Sequence, residues 1–146
     1  MNILFLTILT FSALASASNI PQQIEALNGK SGILLSSVVD ESGLTCKITT
    51  SETSQQARVV IESETYFPIV AYLNNSKLKT TTNGVLILTA ENGKRPGGSV
   101  CGDADVLLKY EKTVEAQNKI LTIREQFRCL SDFGKKTEIV KSCKLI

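Results

Sequence analysis

Asp103 with Asp105, and Glu62 with Glu64, are acidic pairs spaced i, i+2, so in a strand each pair projects from one side. Two carboxylates on one side could divide the acid and base roles of a hydrolytic reaction. The plainer reading is that they decorate solvent-facing strand positions. Asp103-Ala104-Asp105 also offers oxygens to Ca²⁺, but the spaced Asp, Gly and Glu of a calcium loop are missing. The chain has no histidine at all. That removes Ser-His-Asp and Cys-His machinery, the common metal-ligand sets and the usual proton shuttle at neutral pH.

The four cysteines, Cys46, Cys101, Cys129 and Cys143, show no Cys-x-x-Cys spacing and have no histidine to complete a metal set. They are expected as two structural disulfides, with no metal and no cofactor. One further feature stands out, the loop from Asn92 to Gly102. It holds four of the nine glycines and the adjacent cations Lys94 and Arg95, and it ends beside Cys101. Gly-rich backbone can form an anion nest, but the Gly-Lys-Ser/Thr order of a nucleotide loop is missing. Anchored by a disulfide, Lys94-Arg95 could dock in an acidic cleft of a partner, although Pro96 directly after Arg95 makes a poor scissile bond. The plainer alternative is a connection between hairpins. Asn74-Asn75-Ser76 is a glycosylation acceptor triplet in a eukaryotic secretory pathway.

The expected setting comes from the first residues. Ile3 to Leu14 is an apolar run broken only by Thr7, Thr10 and Ser12, followed by Ala15-Ser16-Ala17, and no charge precedes Glu25. This is the layout of an export signal covering residues 1–17, though a basic n-region is missing. The run is shorter than the roughly 20 apolar residues a membrane span needs. Removing 17 residues from 146 leaves 129, one ordinary domain at residues 18–146. Secreted or periplasmic localisation follows, where cysteines oxidise, with no stable membrane insertion after cleavage.

The formal net charge of +2 is too small to point to nucleic acid. It is unevenly spread. From Lys109 onward nine basic and five acidic residues give +4, against −2 for the stretch from Ser18 to Leu108.

Asn19-Ile20-Pro21 with Ile24, Leu27 and Gly29 predicts one short helix. After it the chain changes to Ser-, Thr-, Val- and Ile-rich stretches separated by turn residues. Strands are predicted at Ile33–Val39, Leu44–Thr50, Ala57–Glu62, Tyr66–Leu73, Lys77–Thr82, Val85–Ala90, Asp103–Thr113, Lys119–Leu130 and Lys136–Cys143. Asn83-Gly84 marks a tight hairpin, and Pro68 makes its strand an edge or bulged one. In Lys119–Leu130 the row Leu121, Ile123, Glu125, Phe127 and Cys129 faces inward; so does Cys46 in Leu44–Thr50.

With no helical period between the strands, the expected fold is all-β: an antiparallel meander forming a small sandwich or barrel, with one short N-terminal helix and two disulfides. A turn centred near Glu115–Ala116 would bring Cys101 and Cys129 together across a hairpin mouth. Cys143 would lie about 20 Å further along the next hairpin from Cys129's partner, beyond disulfide reach. The predicted bridges are Cys101–Cys129 and Cys46–Cys143, the second tying the last strand to the second.

Function is expected to be recognition rather than reaction: an exported, non-catalytic binding module for an unknown protein or envelope ligand. The alternative is a secreted inhibitor of an extracellular hydrolase acting through Lys94 and Arg95. A hydrolase using Asp103 or Asp105 ranks third.

Overall fold

The computed structural model describes residues 18–74, 76–90, 100–102 and 105–146. It is all-β: a single antiparallel sheet curled into a nearly closed barrel, with one short helix and two disulfides. The helix α1 (Gln22–Glu25) is followed by β1 (Ser31–Ser36), β2 (Thr45–Glu52), β3 (Ala57–Ser63), β4 (Ile69–Tyr72), β5 (Ser76–Thr80), β6 (Leu86–Ala90), β7 (Leu107–Gln117), β8 (Ile120–Cys129) and β9 (Lys136–Leu145). All nine expected strands are present, and the sheet order is β4-β3-β2-β1-β9-β8-β7-β6-β5.

Every neighbouring pair is antiparallel, so the two edge strands β4 and β5 run in the same direction. They are also consecutive in the chain. β4 pairs with β3 and β5 pairs with β6, so together they form one bent stave that serves a different neighbour with each half. The nine strands therefore make eight staves, the even number an antiparallel barrel needs. Pro68 immediately precedes β4, where a missing donor costs nothing in the ladder.

The bend is held by side chains. Asn74 Oδ1 accepts from the Ala57 amide at 2.6 Å, and its Nδ2 donates to the Gln55 carbonyl. Ser76 N and Oγ both donate to the Leu73 carbonyl, at 3.1 and 2.8 Å. The carboxamide of the acceptor triplet is thus engaged in tying the bend to the β2–β3 turn.

Alternation fills the lumen. The inward rows include Cys46 and Ile48 of β2, Val59 and Ile61 of β3, Ile69 and Ala71 of β4, Leu86 and Leu88 of β6, Val114 and Ala116 of β7, and Leu121 and Ile123 of β8. Ile20 and Ile24 from the α1 segment pack into the same cluster, with Leu27 beside it. Gly29, at φ +74°, ends that segment. Glu52 accepts from Ser18 Oγ at 2.6 Å and from the Asn19 amide at 2.8 Å. The Ser18 hydroxyl, chiefly, holds its carboxyl below the ordinary value.

The hairpin β7–β8 turns elsewhere than the sequence suggested. The turn is Asn118-Lys119, both at positive φ, rather than Glu115–Ala116, and β7 begins at Leu107 rather than Asp103. Asn-Lys lacks the glycine that usually marks a two-residue turn with both central residues left-handed. Cys129 consequently opposes Leu107, with a bulge at Leu107/Lys109. Cys101 still reaches it, because the described residues ahead of β7 run along the end of β8: Leu130 N donates to Val106 O at 2.9 Å.

Both bridges are present, Cys101–Cys129 and Cys46–Cys143. The second joins β2 to β9 across β1, with Cα atoms 5.9 Å apart. Strands on either side of a third stand roughly 10 Å apart in a flat sheet. The sheet is therefore sharply coiled at β1, and Gly32 permits it. A Cβ there would lie 2.2 Å from the Lys144 carbonyl oxygen and 2.9 Å from Leu145 Cα.

Two predictions follow from this corner. Gly32→Ala should cost about 3 kcal/mol in a urea titration, because the obstructing atoms are backbone and cannot swing away. The two bridges enclose sequence separations of 97 and 28 residues. In the chain-entropy account, replacing Cys46 and Cys143 by Ala should cost on the order of 5 kcal/mol, against about 3.5 kcal/mol for Cys101 and Cys129.

Candidate functional site

Antiparallel alternation sorts the loops into two ends. The lower end carries α1, the β2–β3 turn at 53–56, the β5–β6 turn at 81–85 and Asn118-Lys119. Among the described residues, none of the large exposed apolar side chains lies in those lower turns, although Leu78 of β5 and the terminal Ile146 are exposed in the lower half. The upper end carries the β1–β2 loop (37–44), the β3–β4 loop (64–68), the β8–β9 loop (130–135) and the start of β7. Here Val38, Val39, Phe67, Val106, Leu108, Leu130 and Phe133 are exposed, with Val39 at 82%, Phe67 at 92% and Phe133 at 100%.

These residues sit on a braced rim. Phe133 has φ +54° and is followed by Gly134 at +70°. A bulky side chain in the left-handed region is strained, and full exposure gives no packing gain that would offset it. The turn is closed by Phe133 N to Leu130 O, Gly134 N to Cys129 O and Lys135 N to Asp132 O, each at 3.0 Å. Arg128 Nη1 donates to the Gly134 carbonyl at 3.0 Å. Asp105 accepts from the Ser131 amide at 3.0 Å, from the Ser131 hydroxyl, and from the Val106 amide at 2.8 Å. The Ser131 hydroxyl is the main cause that keeps the Asp105 carboxyl below its ordinary value, against the opposing effect of desolvation.

The other two loops are tied to one ammonium inside the barrel. Lys141 Nζ of β9 meets Glu41 Oε2 at 2.8 Å and Oε1 at 3.0 Å, and donates to the Phe67 carbonyl at 3.3 Å. Glu41 also accepts from Ser36 Oγ at 2.7 Å. A second buried pair lies beside it: Lys112 Nζ of β7 stands 3.6 Å from Glu125 Oε2 and donates to the Val70 carbonyl at 2.7 Å. The two lysines thereby give acceptor carbonyls at the β4 end of the sheet donors from the opposite wall.

The sequence candidates fare differently. Lys94, Arg95 and Asp103 lie outside the described residues, as does the expected signal segment 1–17. Asp105 acts as a loop brace: its carboxyl is fully hydrogen-bonded and its pKa lowered, the reverse of what a general acid needs. Glu62 and Glu64 are exposed, and Glu62 accepts from Thr49 Oγ1 at 3.1 Å on the outside of the barrel. Ligand atoms of Cys101, Asp105 and Cys129 lie within 4.8 Å of one another. Both sulfurs are bonded to each other, so the set does not fit a metal ion. The buried ion pairs were missed, although period two already placed Glu125 in an inward row and gives Lys141 the same side as Cys143.

No protein-family model matches the chain, and no characterised protein shows significant sequence similarity to it. Among the described residues no helix is long and apolar enough to cross a membrane.

Lys141→Met should lower stability by about 3–5 kcal/mol, because Glu41 is left buried without its counter-charge. Adding Glu41→Gln should recover a large part of that loss in the same denaturant titration. A single variant as stable as the parent would show that the pair is not fully desolvated.

Proposed function

We propose that the chain is a non-catalytic recognition module that docks a protein partner through the apolar rim at the upper end of the barrel. The observation that carries this reading is the asymmetry of the two ends. Phe67, Phe133 and Val39 stand almost wholly in solvent on upper loops, while the lower turns carry polar residues. Apolar side chains gathered on rigid loops are the usual chemistry of a contact surface.

The rim is pre-organised by the Cys101–Cys129 bridge, the Asp105 brace and the Lys141 anchor, which lowers the ordering cost of binding. A lumen ligand is less well supported, because Leu34, Ile48, Ile61, Val114, Leu121, Ile123 and two ion pairs occupy the interior. The lack of histidine and the use of Asp105 as a brace favour binding over turnover. The disulfides and the expected export signal favour an extracytoplasmic place for this binding.

Affinity capture from the native extracytoplasmic fraction tests the reading. Phe67→Ser with Phe133→Ser should abolish capture of any partner held by the parent, with the melting temperature unchanged within about 2 °C because both side chains are exposed. A control at the lower end, Asn118→Gly, should retain it. Capture that survives the rim variant, or is lost equally in the control, would overturn the assignment.

A further inference from the structure

On the outer face of the barrel, just below the Phe133 loop, three cations stand in direct register. Lys109 of β7 opposes Arg128 of β8, and Arg128 opposes Lys136 of β9. Opposed residues of an antiparallel ladder share a face, with Cα atoms about 4.5–5.5 Å apart. Three like charges therefore span roughly 10 Å, an arrangement that opposes folding rather than helping it. All three side chains are exposed, so packing does not explain their placement.

The next row down is Glu111, Gln126 and Glu138, and it relieves the cations only in part. Glu138 is engaged by Arg124 at 2.8 Å, by Gln126 at 2.6 Å and by Lys136 at 3.3 Å. Arg128 turns toward the Gly134 carbonyl. Lys109, Arg128 and Lys136 line one open groove of about 140 Å³ together with Glu111, Gln126 and Phe127. That is room for one carboxylate side chain or about five waters.

The groove is continuous with the apolar rim. Lys109 follows Leu108, whose Cδ1 lies 3.6 Å from the Cβ position of Gly134, and Phe133 and Leu130 belong to the same loop. An anionic group seated on the row would relieve the repulsion, while its neighbour met Leu108, Leu130 or Phe133. We infer that the partner of the rim is an acidic protein segment: a carboxylate side chain binds the Lys109–Arg128–Lys136 row and an adjacent apolar side chain packs on the Phe133 loop. This rests on the rim reading above and gives it a partner chemistry.

Two measurements on the intact oxidised protein test it. Without any ligand, Lys109→Gln should raise the melting temperature by about 1–4 °C at low salt, and the gain should vanish at about 0.5 M salt, where screening is complete over a few Å. A lowered or unchanged melting temperature at low salt would overturn the claim that the row is held against repulsion.

The second measurement is titration with a capped eight-residue glutamate peptide carrying one central phenylalanine, its serine counterpart, and a heparin oligosaccharide of equal charge. The phenylalanine peptide should bind at least five-fold more tightly than the serine peptide. Lys109→Gln should weaken it at least five-fold, and Phe133→Ser should erase the difference between the two peptides. Tighter binding of heparin than of either peptide, indifferent to Phe133→Ser, would replace the acidic segment by a polyanion. Peptide affinity unchanged by Lys109→Gln would overturn the inference while leaving the Phe67 and Phe133 capture result to decide the rim by itself.

Discussion

A curled antiparallel sheet must give hydrogen-bond partners to both of its edges, and the rest of this molecule depends on how that is met. One stave, β4 followed by β5, serves β3 with its upper half and β6 with its lower half. Where the stave changes neighbour, side chains supplement the main-chain bond from Leu73 N to the Ala57 carbonyl. Asn74 holds the bend to the β2–β3 turn, and Lys112 and Lys141 donate to the Val70 and Phe67 carbonyls. Each ammonium is in turn neutralised by a carboxylate, Glu125 or Glu41. Lys112 thus serves a carbonyl of the edge strand β4 that its one neighbour does not, while Lys141 serves the loop ahead of that strand.

The same closure divides the molecule along its axis. Toward the lower end the lumen is apolar and covered by Ile20 and Ile24. Toward the upper end it is occupied by the two ion pairs, and one of these reaches two of the rim loops at once through Lys141. The third rim loop is fixed from the other side by Cys129, Asp105 and Arg128. Exposed apolar side chains on loops braced in this way fit recognition, because a contact surface needs apolar area that neither collapses inward nor wanders.

Much of the fold was legible because its signals are local. Period-two alternation in Ile120–Cys129 identified the inward row, and Asn83-Gly84 identified a hairpin. Pro68 correctly marked an edge. The disulfide pairing came out as expected although the turn that was to bring Cys101 opposite Cys129 was misplaced. Strand rise only puts Cys143 out of reach of Cys129, which leaves two of the three pairings. The register of β7 on β8 was not legible, since Asn118-Lys119 carries no glycine. With the register misplaced, Lys112 could not be seen to oppose Glu125, nor Lys109 to oppose Arg128. The cations of the candidate site were visible as residues and invisible as a row.

Residue types and spacing by themselves determined the strand content, the inward faces, the exclusion of a Cys129–Cys143 bridge and the exclusion of imidazole chemistry, because each depends on neighbours a few positions apart or on simple reach. Only the tertiary structure decided that the sheet curls nearly shut, that nine strands make eight staves, that Gly32 lets β9 fold over β1, and that most of the exposed apolar side chains gather at one end. Those outcomes depend on which distant strands become neighbours, and pairing between strands is set by closure of the whole sheet rather than by any one segment.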